Sequence, residues 1–373
     1  MLETLSLAQA RRIAVASQLR QRSGRFRTVL QRLGCVQLDA VSAVRRAHEL
    51  TLLARGLEVG EVERSLDRRR APVAFEGWAH AMSLIPVSDW PYHAWRRRRW
   101  REKHWRREIP DEARRDVLRL LDEHGEVTVS HFPSGAMHRR SGPAENIGDS
   151  WGLRTDHKRA AEQMLLTGEL ACTHRVGFKR VYQTVERAIP DRFRWDADDD
   201  ECLRHLVGTA LRNLGVATAK DVADYFRIKV SDAERTLRGL EVEQVRVEGW
   251  RGLAWIDPGA GRSRLPGAER PVAVSMFDQL VWLRERMARL WGHDWKIEIY
   301  VPQAQRRFGY YCFPIVVGDD IPGRVALRGK NGDLVVEACE WDDSRADRDL
   351  LHAAVERTAS WVGAEVRWEA LPA

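Results

Sequence analysis

The 373-residue chain carries 61 basic and 54 acidic side chains, a formal charge of +7 and 44% hydrophobic residues, the balance of a globular protein rather than a disordered one. No window of about 18 uncharged apolar residues occurs, which excludes a membrane-spanning helix. The opening Met1-Leu-Glu-Thr-Leu-Ser-Leu has neither the basic region nor the long apolar region of a secretory signal, so a cytoplasmic location is expected.

In chain order, residues 6–19 are expected to form an amphipathic helix capped by Ser6, and 26–33 a second one ended by Gly34. Val36-Gln-Leu-Asp-Ala-Val alternates apolar and polar residues, as a strand does. Ala43 to Arg55 is expected to be helical up to Gly56, followed by a short helix at 59–68 and a strand at Val73-Ala-Phe-Glu-Gly-Trp. The order then restarts with a helix at 111–123, an irregular Gly/Pro/Ser-rich loop at 133–152, a helix at 155–167 and a hairpin over 169–183 turning at Val176-Gly177. A third round predicts helices at 199–214, 218–227 and 231–240, then strands at 242–248 and 252–256. Helices followed by a hairpin are the build of a winged-helix domain. After a linker at 257–271, a helix at 279–291, strands over 295–341, a closing helix at 344–362 and a strand at 364–369 suggest a small α+β or barrel-like domain. The expected fold class is therefore α+β and mostly helical: three tandem winged-helix (helix-turn-helix) units at 1–108, 109–196 and 197–258, and a β-rich domain at 270–373.

The five cysteines form no Cys-x-x-Cys pair, no His-Glu-x-x-His occurs, and no phosphate-binding glycine loop is present. Any catalysis is expected to need no metal and no cofactor. All but seven of the basic residues are arginine, and 15 tryptophans accompany them. Guanidinium forks pair with phosphate and stack on aromatic planes, though a GC-rich genome produces the same bias. The densest run, Tyr92-His-Ala-Trp-Arg-Arg-Arg-Arg-Trp-Arg-Glu-Lys-His-Trp-Arg-Arg, spaces Trp95, Trp100 and Trp105 by five residues. That spacing sets them about 140° apart on a helix, so they make no single stacking face.

The sharpest local feature is Gly34-Cys-Val-Gln-Leu-Asp. On a strand, Gln37 and Asp39 leave the same face with Val36 and Leu38 behind them. A carboxylate beside a primary amide is a minimal site for activating water or stabilising positive charge. Taken alone, the same residues serve equally as a helix cap near Ser42 and a loop partner.

Gly34-Cys-Val-Gln-Leu-Asp, with Arg45-Arg-Ala-His-Glu-Leu-Thr-Leu-Leu-Ala-Arg55 after it, resembles the start of the AlkX/YcaQ-like and AlkZ-like DNA glycosylases, winged-helix enzymes that unhook interstrand crosslinks and excise N7-alkylated purines. The resemblance continues through Trp78-Ala-His-Ala-Met-Ser-Leu-Ile-Pro, Asp89-Trp-Pro, Arg175-Val-Gly-Phe-Lys-Arg-Val-Tyr and Glu186-Arg-Ala-Ile-Pro. It is clearest at Phe277-Asp-Gln-Leu-Val-Trp-Leu-Arg-Glu-Arg, Ile297-Glu-Ile-Tyr-Val-Pro and Arg306-Arg-Phe-Gly-Tyr-Tyr. It implies a C-shaped clamp of three winged helices plus a β-rich domain, and a Gln–apolar–Asp catalytic signature that Gln37-Leu38-Asp39 matches. It further implies double-stranded DNA with alkylated or crosslinked purines as the partner. A transcription regulator without catalysis is the competing reading. No helix shows the sustained heptads of a dimerisation element, and a monomer is expected.

Several residues are candidates to hold DNA. Arg45, Arg46 and His48 follow the Gln-Leu-Asp segment, and on a helix Arg45 and His48 would share a face. Ile297–Pro302 and Tyr310–Pro314 read as a hairpin whose tip carries Gln303, Gln305, Arg306 and Arg307, suited to a minor groove. The wing at 175–180 offers Lys179 and Arg180 to the DNA backbone. Ordinary surface exposure is the alternative for each. Two features depart from the family pattern: the long loop Phe132–Trp151, and Asp278-Gln279 where relatives often have Asp-Asn.

Overall fold

The structure, a computed structural model, describes residues 2–19, 25–67, 72–102, 109–134, 138–139, 153–260 and 270–369. Most of the loop expected at 133–152 and the residues 103–108, with Trp105, lie outside the described residues. The chain is a mixed α+β fold in two compact units, Met1–Glu63, Ala79–Ser83 and Arg204–Ala373 forming the first and Arg64–Trp78 and Leu84–Leu203 the second.

In the first unit, Ser6 starts the helix Leu7–Gln18: its hydroxyl accepts the Gln9 N–H at 3.1 Å, and the Gln9 side chain returns to the Ser6 N–H at 2.7 Å. The helix Phe26–Leu33 ends at Gly34, whose φ of +70° suits glycine. A Cβ there would also lie 2.6 Å from Thr209 Cγ2. The strand after it covers only Val36–Gln37, and the next helix is Ala47–Leu53 rather than the longer one expected from Ala43. Two local bonds set this later start. Ser42 and Arg46 pair as an isolated antiparallel bridge, and the Glu49 carboxylate accepts the Arg46 N–H at 2.8 Å at the helix entrance.

The elements expected at 199–256 appear with shifts of one or two residues: helices Asp199–Leu214, Ala219–Tyr225 and Val230–Arg238, and strands Glu243–Val247 and Ala254–Ile256. Thr218 and Asp221 cap the middle helix reciprocally, at 3.2 and 2.9 Å. Val216–Ala217 adds a short strand, and Thr4–Leu5 pairs in parallel with Glu243–Val247, completing a four-stranded sheet. Periodicity alone does not reveal a two-residue strand whose partner lies about 240 positions away.

The C-terminal part is a five-stranded sheet with Val272–Ala273 and Glu365–Trp368 at its edges, where a barrel-like closure was one expectation. The long hairpin Asp320–Lys330 and Asp333–Trp341 turns on Asn331-Gly332, both in the left-handed region. The helix Arg348–Ser360 buries Leu351, Ala354 and Val355. Residues 297–311 are not the expected hairpin but an irregular loop with one 3-10 turn at Gln303–Gln305. Pro302 has no N–H for a ladder, and the Glu298 carboxylate takes the N–H groups of Arg307, Phe308 and Gly309 instead, at 2.9–3.1 Å.

The second unit packs Asp111–His124 and Asp156–Thr167 through Val117, Leu121, Ala161, Met164 and Tyr182. Its short hairpin pairs Arg175–Val176 with Lys179–Arg180, so the turn is Gly177-Phe178. The buried Glu76 carboxylate on the strand Ala74–Trp78 accepts from Arg175 and from Arg180 Nε at 2.7 Å. Burial pushes its pKa up, but the Arg180 and Arg175 guanidiniums outweigh that and hold it at about 2. In the helix Ala94–Glu102, Trp95 turns inward and Arg97 lies 4.1 Å over the Trp90 ring. Arg97 pairs with Asp196, and Arg98 and Arg99 with Asp199. Much of this arginine-rich helix is thus neutralised from within.

Candidate active site

The Gln-Leu-Asp segment is fastened mainly by main-chain atoms of the first unit. The Leu38 N–H donates to Met82 O at 2.8 Å, the Gln279 amide donates to Cys35 O, and Gly329 N–H, on the long hairpin, donates to Ala43 O at 2.7 Å. Val36 and Leu38 are buried as expected, but Gln37 is also only 9% exposed, so the alternation of burial is incomplete. Asp39 lies past the strand, in a turn where its Oδ1 accepts the Val41 N–H at 2.7 Å. This bond belongs to the capping family that the isolated tripeptide allows, two residues on rather than at a helix start.

Asp39 is half-buried, and among the described residues no cation and no second donor reaches its carboxylate. Burial raises its pKa above the ordinary aspartate value, and the Val41 N–H offsets that only in part. The Tyr311 phenol is close enough to feel this charge: burial, above all, pushes its pKa up, and Asp39 pushes it further. Tyr311 in turn shares a 2.8 Å hydrogen bond with Ser275 Oγ. Among the described residues the result is a partly desolvated negative charge without a counter-ion, whose field reaches a buried phenol.

A further support of the segment is the turn 275–282, whose partners are not legible in the sequence. Asp278 and Arg55 form a two-pronged ion pair, at 2.6 and 3.0 Å, with both side chains fully buried. Arg55 also donates to Thr51 O at 2.8 Å, and Asp278 accepts the Leu280 N–H at 3.0 Å. The next residue, Gln279, holds Cys35 O two positions before Gln37. Phe277-Asp-Gln-Leu-Val-Trp was visible as a block, but nothing in it announces a partner more than 200 residues earlier.

The candidate DNA contacts fall into different situations. Arg45 precedes the helix Ala47–Leu53, so it does not share a helical face with His48. Its guanidinium donates to Trp361 O at 2.8 Å and pairs with Glu63 at 3.2 Å. His48 is 2% exposed and presents no surface, a correction that follows from the helix turning this side inward. Arg46 is half-buried at the helix entrance. Arg180 is committed to Glu76 and Glu162, whereas Lys179 is exposed and donates to Ser130 Oγ at 2.8 Å. Gln303, Gln305 and Arg307 are exposed on the loop that Glu298 braces, and Arg306 is half-buried, over the Tyr310 ring at 4.8 Å. Neither the Arg306 nor the Arg307 guanidinium is paired with a carboxylate among the described residues. Among those residues, no group of three His, Cys, Asp or Glu side chains is placed to hold a metal ion.

The family profile described as DNA glycosylase AlkZ-like matches residues 30–361 of this chain. Among solved structures, the chain is similar to Streptomyces sahachiroi DNA glycosylase AlkZ, with a TM-score of 0.63 and 15% sequence identity. That likeness covers 98% of this chain and 100% of the other, and at such an identity it bears on the fold.

Proposed function

This chain belongs to the AlkZ-like DNA glycosylase family, and we propose that it hydrolyses the N-glycosidic bond of N7-alkylated purines in duplex DNA and unhooks interstrand crosslinks made through such bases. The observation that carries this reading is the half-buried Asp39 carboxylate, which has no cation beside it among the described residues. An N7-alkylguanine already bears a positive charge, so it leaves without a general acid. Departure of the base builds oxocarbenium character at C1′ of the sugar, as in glycoside hydrolysis. A negative charge fixed in a partly dry site stabilises that cation more strongly than one in water, and the same carboxylate takes the proton of the attacking water. Gln37, an amide that stays neutral, orients the water or the neighbouring phosphate.

Asp39 has no lysine partner among the described residues, which supports a monofunctional enzyme that leaves an abasic site rather than one acting through a Schiff base. A crosslinked base cannot be swung fully out of the duplex, so an open site suits it better than a flipping pocket. The helix–strand–helix–helix–hairpin order over 199–256 supports a winged-helix reading, and we extend it to three such units in a monomer that works in the cytoplasm. The braced loop with Gln303, Gln305, Arg306 and Arg307 is the element we assign to the minor groove.

The test is release of free base, with alkali-labile abasic sites, from duplexes carrying N7-methylguanine or a defined N7 crosslink. Absence of release by wild type from both substrates would return the chain to a non-catalytic DNA-binding role. Equal release by wild type and Asp39→Asn would leave the activity standing and remove the assigned mechanism.

A further inference from the structure

Arg284 opens the helix Arg284–Trp291 and is half-buried, yet its hydrogen-bond partners are unusual for such an arginine. It donates to Val281 O at 2.6 Å and Met276 O at 2.9 Å, with Met276 Sδ at 3.7 Å. No carboxylate pairs with it among the described residues. Its neighbours in the same unit behave otherwise: Arg55 is paired with Asp278, Arg289 with Asp221 and Arg345 with Asp320. Arg286 also rests on carbonyls, those of Leu214 and Val216, but it is 1% exposed and out of reach of any ligand. Arg284 is therefore a partly accessible cation fixed in direction and, among the described residues, lacking a counter-ion. Burying a charge that way is costly unless a partner completes it.

The position matters as much as the charge. The carbonyls that hold Arg284 belong to the turn whose Gln279 secures Cys35, just before Gln37. In the same turn, Ser275 holds the hydroxyl of Tyr311, the residue that feels the charge of Asp39. Burial lowers the Arg284 pKa to about 10, and the site still keeps it a cation at neutral pH. We infer that Arg284 binds a backbone phosphate of the DNA next to the base being removed. The inference rests on the glycosylase reading for the identity of the ligand. A guanidinium with one edge held by carbonyls keeps its other N–H groups for an anion, and phosphate is the anion that duplex DNA presents there.

The experiment measures equilibrium binding of wild type, Arg284→Gln and Arg284→Lys to one N7-methylguanine duplex over a series of KCl concentrations. Glutamine keeps a donor for the carbonyls and removes the charge. Each lost phosphate contact flattens the plot of log K against log salt by about 0.9. The expected result is that flattening for Arg284→Gln, with the wild-type slope kept by Arg284→Lys. A wild-type slope in a folded Arg284→Gln protein, as judged by circular dichroism, overturns the inference. If Arg284→Gln does not fold, Arg284→Lys decides: a several-fold weaker affinity at unchanged slope supports it, and wild-type affinity overturns it. A duplex scan with single methylphosphonates checks the position, since neutralising one phosphate beside the lesion should weaken wild type and leave Arg284→Gln unaffected. Base release is scored separately. Release by wild type with no slope change on substitution refutes only the role of Arg284, and a slope change without release refutes only the glycosylase reading.

Discussion

Replacing Asp278 with alanine leaves the Arg55 guanidinium fully buried with one remaining bond, to Thr51 O. Breaking a buried pair by removing one partner costs about 3–5 kcal/mol, because the surviving charge stays desolvated. At 1.4 kcal/mol for each factor of ten, that predicts faster opening of the helix Ala47–Leu53 by roughly two to nearly four orders of magnitude. Hydrogen exchange at the Leu50–Leu53 amides measures it directly and, because it reads one unit of a two-unit chain, does not assume a single unfolding step. The double variant Arg55→Met with Asp278→Leu removes both charges. It should cost much less than Asp278→Ala alone, since apolar replacements of a buried pair are often close to neutral. If Asp278→Ala costs under about 1 kcal/mol, or if the double variant costs the sum of the two single ones, the pair is not the desolvated clamp described above.

Three more outcomes are expected. Asp39 must be ionised to stabilise a cation, and its pKa is raised; kcat/KM should therefore fall on acidification at a higher pH than an ordinary aspartate would give, and an Asp39→Asn profile with the same acid limb would contradict this. Glu298→Ala removes the acceptor for three successive N–H groups; exchange at the Arg307–Gly309 amides should quicken by at least about tenfold, since even one charged hydrogen bond contributes about 1.5–3 kcal/mol, and unchanged exchange would show that Glu298 does not brace the loop. The folded-state pKa of Glu76 is depressed from 4.5 to about 2, so its contribution to the second unit is fully present above pH 4.5 and lost as pH falls toward 2; Glu76→Gln should weaken that unit at neutral pH and remove this acid dependence, and an unchanged acid transition would show that Glu76 does not govern it.

Where local chemistry decides, the sequence was readable. Ser6 with Gln9, Thr218 with Asp221, and Gly34 each place a helix end to within a residue or two, and Gln37 and Asp39 stood out as a pair from six letters. Where a distant group decides, it was not. The Glu298 carboxylate takes bonds that a hairpin ladder would have used, so an alternating stretch became a loop. The bond from Glu49 to Arg46 moved a helix start past Arg45, breaking the face that Arg45 and His48 were expected to share. The turn 275–282 looked like one block among several, because its partners Arg55 and Cys35 are far away in sequence.

The second unit is inserted into the first: residues 64–203, apart from Ala79–Ser83, interrupt a body that begins at the N-terminus and resumes at Arg204. On a ribosome the inserted unit is therefore complete while its host is still a fragment. At about 5–20 residues per second, the stretch from 204 to 329 takes roughly 6–25 seconds to emerge. During that interval Gln37 and Asp39 have been made, but Gln279, Asp278 and the strand that receives Thr4–Leu5 have not all arrived. The Gln-Leu-Asp segment is synthesised well before two of the bonds that fasten it, from Gln279 to Cys35 O and from Gly329 to Ala43 O, can form. Assembly of this candidate site thus waits for Gln279 and Gly329, and a nascent chain that stops before them would keep the Leu38 bond to Met82 O but lack the other two.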